Sequence, residues 1–178
     1  MAPLVAALRD AGHELGVLLS TANAQAFATR AFERVHVVER IPWPAHGSTP
    51  TSYERAHAQA VTARYDVALI ASEEPEGYRF ARSAGIRERV GFVNGWGKPF
   101  KSLQTRRLLT RALVRSASAA RAGEHEVQTL FRLGEGLHAE ARPTRDPLRL
   151  RPLIVDDVAR EEDARIAFQV VAKTFGGG

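Results

Sequence analysis

The feature that most constrains the fold is a regular alternation of short apolar runs with helical patterns across the first half of the chain. Four runs have the composition of buried strands, and a helical segment separates each from the next. Strands connected through helices pair in parallel, which predicts an α/β fold: a Rossmann-like parallel sheet flanked by helices. The predicted strands cover residues 14–20, 34–40, 65–71 and 88–94.

Helical periodicity and capping residues place the remaining elements. After Gly95 the strand pattern stops, so only helices are expected beyond it. We predict a Rossmann-like domain over residues 1–140, a Pro/Arg-rich connector over 141–155 and a C-terminal helix over 156–178. The predicted helices cover residues 3–11, 21–32, 51–63, 75–85, 103–118, 123–137 and 156–175.

Composition narrows the class of protein. A hydrophobic content of 44% with 25% charged residues indicates a soluble globular domain rather than a disordered chain. The absence of cysteine excludes disulfides, thiolate metal sites and a cysteine nucleophile. Arg9, Asp10 and Glu14 interrupt the N-terminal apolar pattern too early for a secretory signal, and no run approaches the roughly 20 apolar residues of a membrane span. We expect a cytoplasmic protein.

A basic segment, residues 97–115, is the strongest functional signal. No Asp or Glu occurs between Arg89 and Gly123. On a helix over 103–118, Arg107, Arg111 and Arg115 would share one face, opposite an apolar stripe. This face is either the solvated side of a packed helix or, together with nearby lysines and Arg89, an anion-binding surface. Both interpretations remain open at this point.

Among anions, a phosphorylated sugar or lipid head group fits the basic segment better than a nucleic acid does. Arginine guanidinium groups match phosphate geometry. Nucleic-acid binding would call for interleaved stacking aromatics, whereas only Trp96 and Phe100 lie nearby, and no known nucleic-acid-binding motif is visible.

Other motifs allow more than one interpretation. Gly95 and Gly97 in "NGWGKPF" could cradle a phosphate or form a tight turn, and the third glycine of a dinucleotide fingerprint is missing. Glu73, Glu74 and Glu76 follow the third strand, where they could bind a cation, act as a base or complement a helix dipole. The histidines at positions 46, 57 and 125 assemble no catalytic or metal set, so we predict no catalytic residue, metal or cofactor.

The order of these elements resembles the N-terminal domain of glycosyltransferase family 9, the ADP-heptose:lipopolysaccharide heptosyltransferases and their relatives. The similarity runs over residues 3–140, and its specificity comes from the order and spacing of pieces that are weak alone. The matching pieces are "PLVAALRDAGHELGVLLS" (3–20), "ERVHVVE" (33–39), "YDVALIA" (65–71), "ERVGF" (88–92) and "HEVQTLFRL" (125–133).

The resemblance implies one lobe of a GT-B fold, in which the N-terminal domain holds the sugar acceptor and a second domain binds the nucleotide-sugar donor. It also implies inverting, metal-independent transfer, with an aspartate after the family's first strand as general base. This sequence begins with the element that follows that strand and has no donor domain, so we expect the chain to be inert as it stands, with nucleotide-sugar binding only through a second domain.

These considerations define the predicted site and partners. The expected partner is an anionic, phosphorylated sugar or glycolipid acceptor, with contact to the inner membrane surface as a further possibility. The alternative is a small Rossmann-like module that binds nucleic acid or another polyanion through its basic face. The predicted acceptor-binding residues are Lys98, Lys101, Arg106, Arg107 and Arg111.

Overall fold

The computed structural model describes residues 1–24, 28–39, 51–72, 75–93, 99–115 and 126–153. Helices and strands alternate along these residues. The strands are β1 (Gly16–Ser20), β2 (Arg34–Val38), β3 (Val67–Ile70), β4 (Glu88–Val93) and β5 (Arg111–Val114). The helices are α1 (Ala2–Asp10), α2 (Thr21–Ala24), α3 (Thr51–Ala63), α4 (Pro75–Ser83), α5 (Pro99–Arg106), α6 (Glu126–Phe131) and α7 (Pro147–Leu150), with 3₁₀ turns at Thr29–Ala31, Arg132–Gly134 and Arg151–Leu153.

All strand pairs among the described residues are parallel, which confirms the predicted α/β class. β1 pairs with β2, with Val17 opposite Val35. β4 pairs on one side with β3 and on the other with β5, where Val90 lies opposite Arg111. The strands therefore form two sheets, in the orders β1-β2 and β3-β4-β5.

Helices cover both faces of the three-stranded sheet, because successive strand residues point to opposite sides. On one face, Val90 and Phe92 of β4 pack against Leu4 and Leu8 of α1. On the other face, Gly91 lies so close to Tyr78 of α4 that a Cβ there would approach the ring to 2.7 Å. This layering is the Rossmann-like arrangement that the sequence predicts.

The two sheets are joined through side chains. One apolar cluster contains Val38 of β2 together with Phe80 of α4, and Leu18 and Ile70 from β1 and β3 pack against it. Helix α3 contributes Ala56 to the same cluster. A shared core of this kind holds the two sheets in one folded unit.

A polar contact supplements that core. The Tyr65 hydroxyl, just before β3, lies 2.9 Å from Nε2 of His36 on β2. The other ring nitrogen, Nδ1, donates to Gln59 Oε1 of α3 at 3.1 Å. His36 is only 5% exposed, so each ring nitrogen needs such a partner. Tyr65 also passes over Gly16 of β1, where a Cβ would lie 2.0 Å from the hydroxyl oxygen.

The 3₁₀ turn at Arg151–Leu153 packs on the domain core. Leu153 is buried beside Val5 and Ala6 of α1. Arg149 of α7 forms ion pairs with both Asp10 and Glu140. This part of the predicted connector therefore lies against α1, whereas residues 154–178, including the predicted final helix, lie outside the described residues.

The predicted helix over 103–118 is wrong. Helix α5 ends at Arg106, and the chain turns at Arg107 and Leu108 before it enters β5. The apolar spacing of the segment satisfies a helical period, but the run Ala112–Val114 also satisfies a short strand, and pairing with β4 decides between them. The statement that no strand follows Gly95 is wrong for the same reason.

Two other predicted helices are shorter than expected. Within the predicted helix 21–32, the described residues are α-helical at Thr21–Ala24 and form a 3₁₀ turn at Thr29–Ala31. Within 123–137, helix α6 is followed directly by the 3₁₀ turn at Arg132–Gly134. The four strands predicted in the first half are confirmed.

We expect Tyr65→Phe to destabilise the fold by about 1–3 kcal/mol, because His36 Nε2 would keep its burial and lose its partner. Burial raises the pKa of Tyr65. The charge of Arg34 lowers this pKa in part, and the charge of Glu33 raises it further. The folded state therefore keeps the phenol proton above pH 10, where the unfolded chain loses it, and stability falls as the pH rises through that range.

Chemical denaturation across alkaline pH measures both effects. The stability of wild type should fall more steeply above pH 10 than that of Tyr65→Phe. Tyr53→Phe, the same chemical change at a tyrosine that stacks on His57, serves as the control. Parallel pH profiles for wild type and Tyr65→Phe would contradict this account.

Candidate functional site

Arg89, which the sequence analysis adds to the basic surface, donates hydrogen bonds to backbone carbonyls of the fold. Its Nε–H donates to the carbonyl of Leu108 at 2.7 Å, and its Nη1 donates to the carbonyl of Ile86 at 2.5 Å. Its backbone is tied to Thr110, whose Oγ1 accepts from the Arg89 N–H at 2.8 Å. These bonds fix the turn between α5 and β5 to the start of β4.

Arg111 is also tied to the backbone. It is the first residue of β5, and its Nη1 and Nη2 donate to the carbonyls of Glu135 and Leu133 at 2.9 and 3.2 Å. These carbonyls belong to the turn that follows α6. Arg111 therefore joins β5 to that turn, and it does not share a helical face with Arg107.

Arg115 points to a different neighbour. Its Nη2 donates to a carboxylate oxygen of Glu126 in α6 at 2.6 Å. Its guanidinium carbon lies 5.7 Å from the centre of the Phe92 ring. The predicted common face of Arg107, Arg111 and Arg115 is therefore wrong, because the end of α5 and the start of β5 send these side chains to different parts of the fold.

The other predicted site residues lie at α5. Arg106, its last residue, and Arg107 are exposed. Lys98 lies outside the described residues, and Lys101 belongs to α5 by its backbone. The acceptor-binding role of all five residues stays a prediction, and Arg111 contacts a different part of the fold from Arg107.

Arg107 lines a groove between α4 and α5 with a volume of about 250 Å³. Two further arginines, Arg79 and Arg82, line it from α4, where a spacing of three places them on one side of the helix. The groove thus collects three cations from two elements. Pro75, Gln104, Thr105 and Leu108 complete its lining.

Three guanidinium groups give the described lining of the groove a cationic character. Guanidinium groups present several N–H donors in a planar fork that matches phosphate and carboxylate oxygens. The side chains of Gln104 and Thr105 add neutral hydrogen-bonding groups beside them. Among the described residues that line this groove there is no carboxylate.

Sequence reasoning missed the α4 half of the groove. The spacing of Arg79 and Arg82 in "YRFARS" was available, but the segment "PEGYRFARSAG" indicated only a packed helix. What joins these residues to Arg107 is the turn that ends α5, and this turn replaces the long helix that the sequence predicted.

Of the remaining sequence candidates, the two that the structure describes do not join the groove lining. Glu76 lies in the first turn of α4, as the dipole interpretation expects, with Oε2 buried and lacking a hydrogen-bond partner. His57 Nε2 lies 3.0 Å from Ser83 Oγ. Residues 73–74 and 94–98, the histidine at position 46 and the histidine at position 125 lie outside the described residues.

In the described ranges, no group of three His, Asp or Glu side chains is placed to hold a metal ion. No described helix combines the length and apolar character needed to cross a bilayer.

Comparison with known proteins yields no relative. No protein-family model, no curated protein and no solved structure matches the chain.

We expect Arg111→Ala to lower the free energy of unfolding by about 1–3 kcal/mol, because the Leu133 and Glu135 carbonyls would lose a charged donor. Arg106→Ala removes the same group from an exposed position and should change stability by less than about 0.5 kcal/mol. Urea denaturation of both variants checks this. Equal stability for the two variants would show that Arg111 does not tie β5 to the turn after α6.

Proposed function

We propose that this chain is the acceptor-binding lobe of a GT-B-type glycosyltransferase, and that the groove between α4 and α5 holds a phosphate of its sugar or glycolipid acceptor. The proposed reaction class is transfer of a heptose or other hexose-like sugar onto a phosphorylated glycan such as a lipopolysaccharide core. The resemblance over residues 3–140 suggests the class, and the parallel α/β fold is compatible with it.

The observation that carries the ligand proposal is the convergence of Arg79, Arg82 and Arg107 on one groove. A volume of about 250 Å³ is slightly below the roughly 300–1,000 Å³ of typical small-molecule pockets. It suits a phosphate with an attached sugar ring better than an entire nucleotide-sugar.

The proposed role is binding, without a catalytic residue in this groove. Glycosyl transfer requires a proton acceptor at the acceptor hydroxyl and stabilisation of the departing diphosphate. The part of the lining that the structure describes supplies cations and neutral groups. It can therefore orient an anionic acceptor, while the proton acceptor and the donor site must come from other residues.

Calorimetric titration with glucose 6-phosphate, glucose and inorganic phosphate tests this proposal. We expect glucose 6-phosphate to bind more tightly than either of the others. The double variant Arg82→Glu with Arg107→Glu should weaken that binding by at least about tenfold, since charge-assisted hydrogen bonds contribute about 1.5–3 kcal/mol each.

A matched control keeps the net charge equal. Arg55 on α3 and Arg145 before α7 are exposed and lie outside the groove lining. Arg55→Glu with Arg145→Glu should leave sugar-phosphate binding within about twofold, because surface charges act weakly at a distance in salt. Equal losses in both double variants would overturn the groove assignment.

Two further outcomes separate the site from the proposed class. Equal binding of inorganic phosphate and glucose 6-phosphate would leave an anion site and refute sugar recognition. Binding of a single-stranded oligonucleotide that tightens with its length and falls steeply with salt would favour the polyanion-binding alternative.

A further inference from the structure

Strand β3 is entirely apolar, yet it is incompletely buried. All four of its residues, Val67–Ile70, are only partly buried, whereas residues 90–93 of the neighbouring β4 are buried. A strand of a parallel sheet with helices on both faces is normally buried along its whole length. The exposure of β3 therefore indicates that one of its edges is open.

Among the described residues, only one edge of β3 is paired with a strand. That edge carries β4, and the other edge lies toward β1, which pairs only with β2. Leu18 of β1 and Ile70 of β3 pack against the same apolar cluster. The Tyr65 side chain, just before β3, covers Gly16 at the start of β1. Strands β1 and β3 are thus neighbours in the core without backbone pairing between them, and we call the edge of β3 toward β1 the open edge.

The pairing of β3 with β4 determines which backbone groups face the open edge. The Glu88 N–H donates to the Asp66 carbonyl at 3.0 Å, so the backbone of Asp66 faces β4. Successive residues of a strand direct their N–H and C=O groups to alternate edges. The backbone of Ala68 therefore faces β4, whereas Val67 and Leu69 present their N–H and C=O groups to the open edge. A row of such groups is a template for an added strand.

The surroundings of the open edge define the chemistry of a strand that fits it. Neither β1 nor β3 carries a charged side chain. On one face of β3, Val67 packs against the cluster that contains Leu4 of α1. On the other face, Ala68 packs against the cluster that contains Phe80 of α4. A strand that lies between two apolar layers is apolar at every position rather than at alternate positions.

We propose that the open edge of β3 binds an extended, uncharged segment of about five apolar residues from another protein, which adds as a strand on the side of β1. Hydrogen bonds to the backbone of Val67 and Leu69 supply affinity, and the apolar layers select the side chains. A second copy of this chain is a poorer source, because each of its described strands is already paired in its own sheet. The inference does not rest on the proposed function, since the described groove lining shares no residue with β1 or β3.

Amide hydrogen exchange measured by NMR tests whether the edge is open. In the chain without a partner, we expect the amides of Val67 and Leu69 to exchange about tenfold or more faster than that of Ala68, which pairing with β4 protects. Equal protection of Leu69 and Ala68 under these conditions would show that the edge is already covered, and it would overturn the proposal.

The probe for strand addition is the peptide SVIVVIS with both ends blocked. At saturation it should slow exchange of the Val67 and Leu69 amides by about tenfold or more and leave the Ala68 amide unchanged. The control peptide has the same sequence with N-methyl groups on every second residue, which keeps the side chains and removes backbone donors. It should bind about tenfold or more weakly, since several hydrogen bonds are lost. Equal binding of the two peptides would indicate apolar contact without strand pairing and refute the proposal.

A matched pair of variants tests the backbone contact on the side of β3. Leu69→Pro removes an N–H that faces the open edge and leaves the donors that pair with β4 in place. Leu69→Ala removes the same side chain and keeps that N–H. We expect Leu69→Pro to bind SVIVVIS about tenfold more weakly than Leu69→Ala does, with circular dichroism as the check that both are folded. Equal affinities of the two folded variants would contradict pairing along β3, and if Leu69→Pro does not fold, the N-methyl comparison on wild type decides.

One competition separates the open edge from the groove. Saturating glucose 6-phosphate should leave the affinity for SVIVVIS unchanged, because the two sites share no described residue. Displacement of the peptide by glucose 6-phosphate would assign the peptide to the groove and refute strand addition at β3.

Discussion

The contact between Arg89 and the turn after α5 determines how the basic part of the chain is arranged. Arg89 donates from its guanidinium to Leu108 and Ile86, and its backbone is bonded to Thr110. Together these bonds end α5, hold the turn beside β4 and set β5 in register with it. A cation that satisfies carbonyls in this way stabilises the fold and has fewer donors left for a ligand.

The turn between α5 and β5 also places the other arginines of the basic segment in different parts of the fold. Arg111 is the first residue of β5 and contacts the turn after α6. Arg115 follows the end of β5 and contacts Glu126. Arg107 stays at the end of α5, where it meets Arg79 and Arg82 across the groove. A run of like charges in the sequence thus separates into arginines that contact other parts of the fold and one, Arg107, that lines a groove with two arginines of α4.

The first half of the fold could be predicted from the sequence because its signals are redundant. A strand such as Val67–Ile70 is continuously apolar, and the helical segments on both sides of it favour parallel pairing with its neighbours. The α5–β5 region could not be predicted in this way, since the spacing of Leu108, Leu109, Ala112 and Leu113 fits a helix as well as a turn and a strand. Pairing with β4 is a non-local interaction, and no window of the sequence contains it.

The candidate site could not be predicted either, because it also depends on residues that are distant in the sequence. Arg107 was selected by charge, but its partners on α4 lie more than twenty residues earlier in the chain, and only the fold brings them together. We propose that the arginines divide into a structural group and a ligand-binding group. Side-chain ¹H–¹⁵N NMR during titration with glucose 6-phosphate tests it directly: the Nε–H signals of Arg82 and Arg107 should shift, while that of Arg89 should stay fixed and protected from exchange with water. A shift of Arg89 with no change at Arg82 or Arg107 would contradict the account.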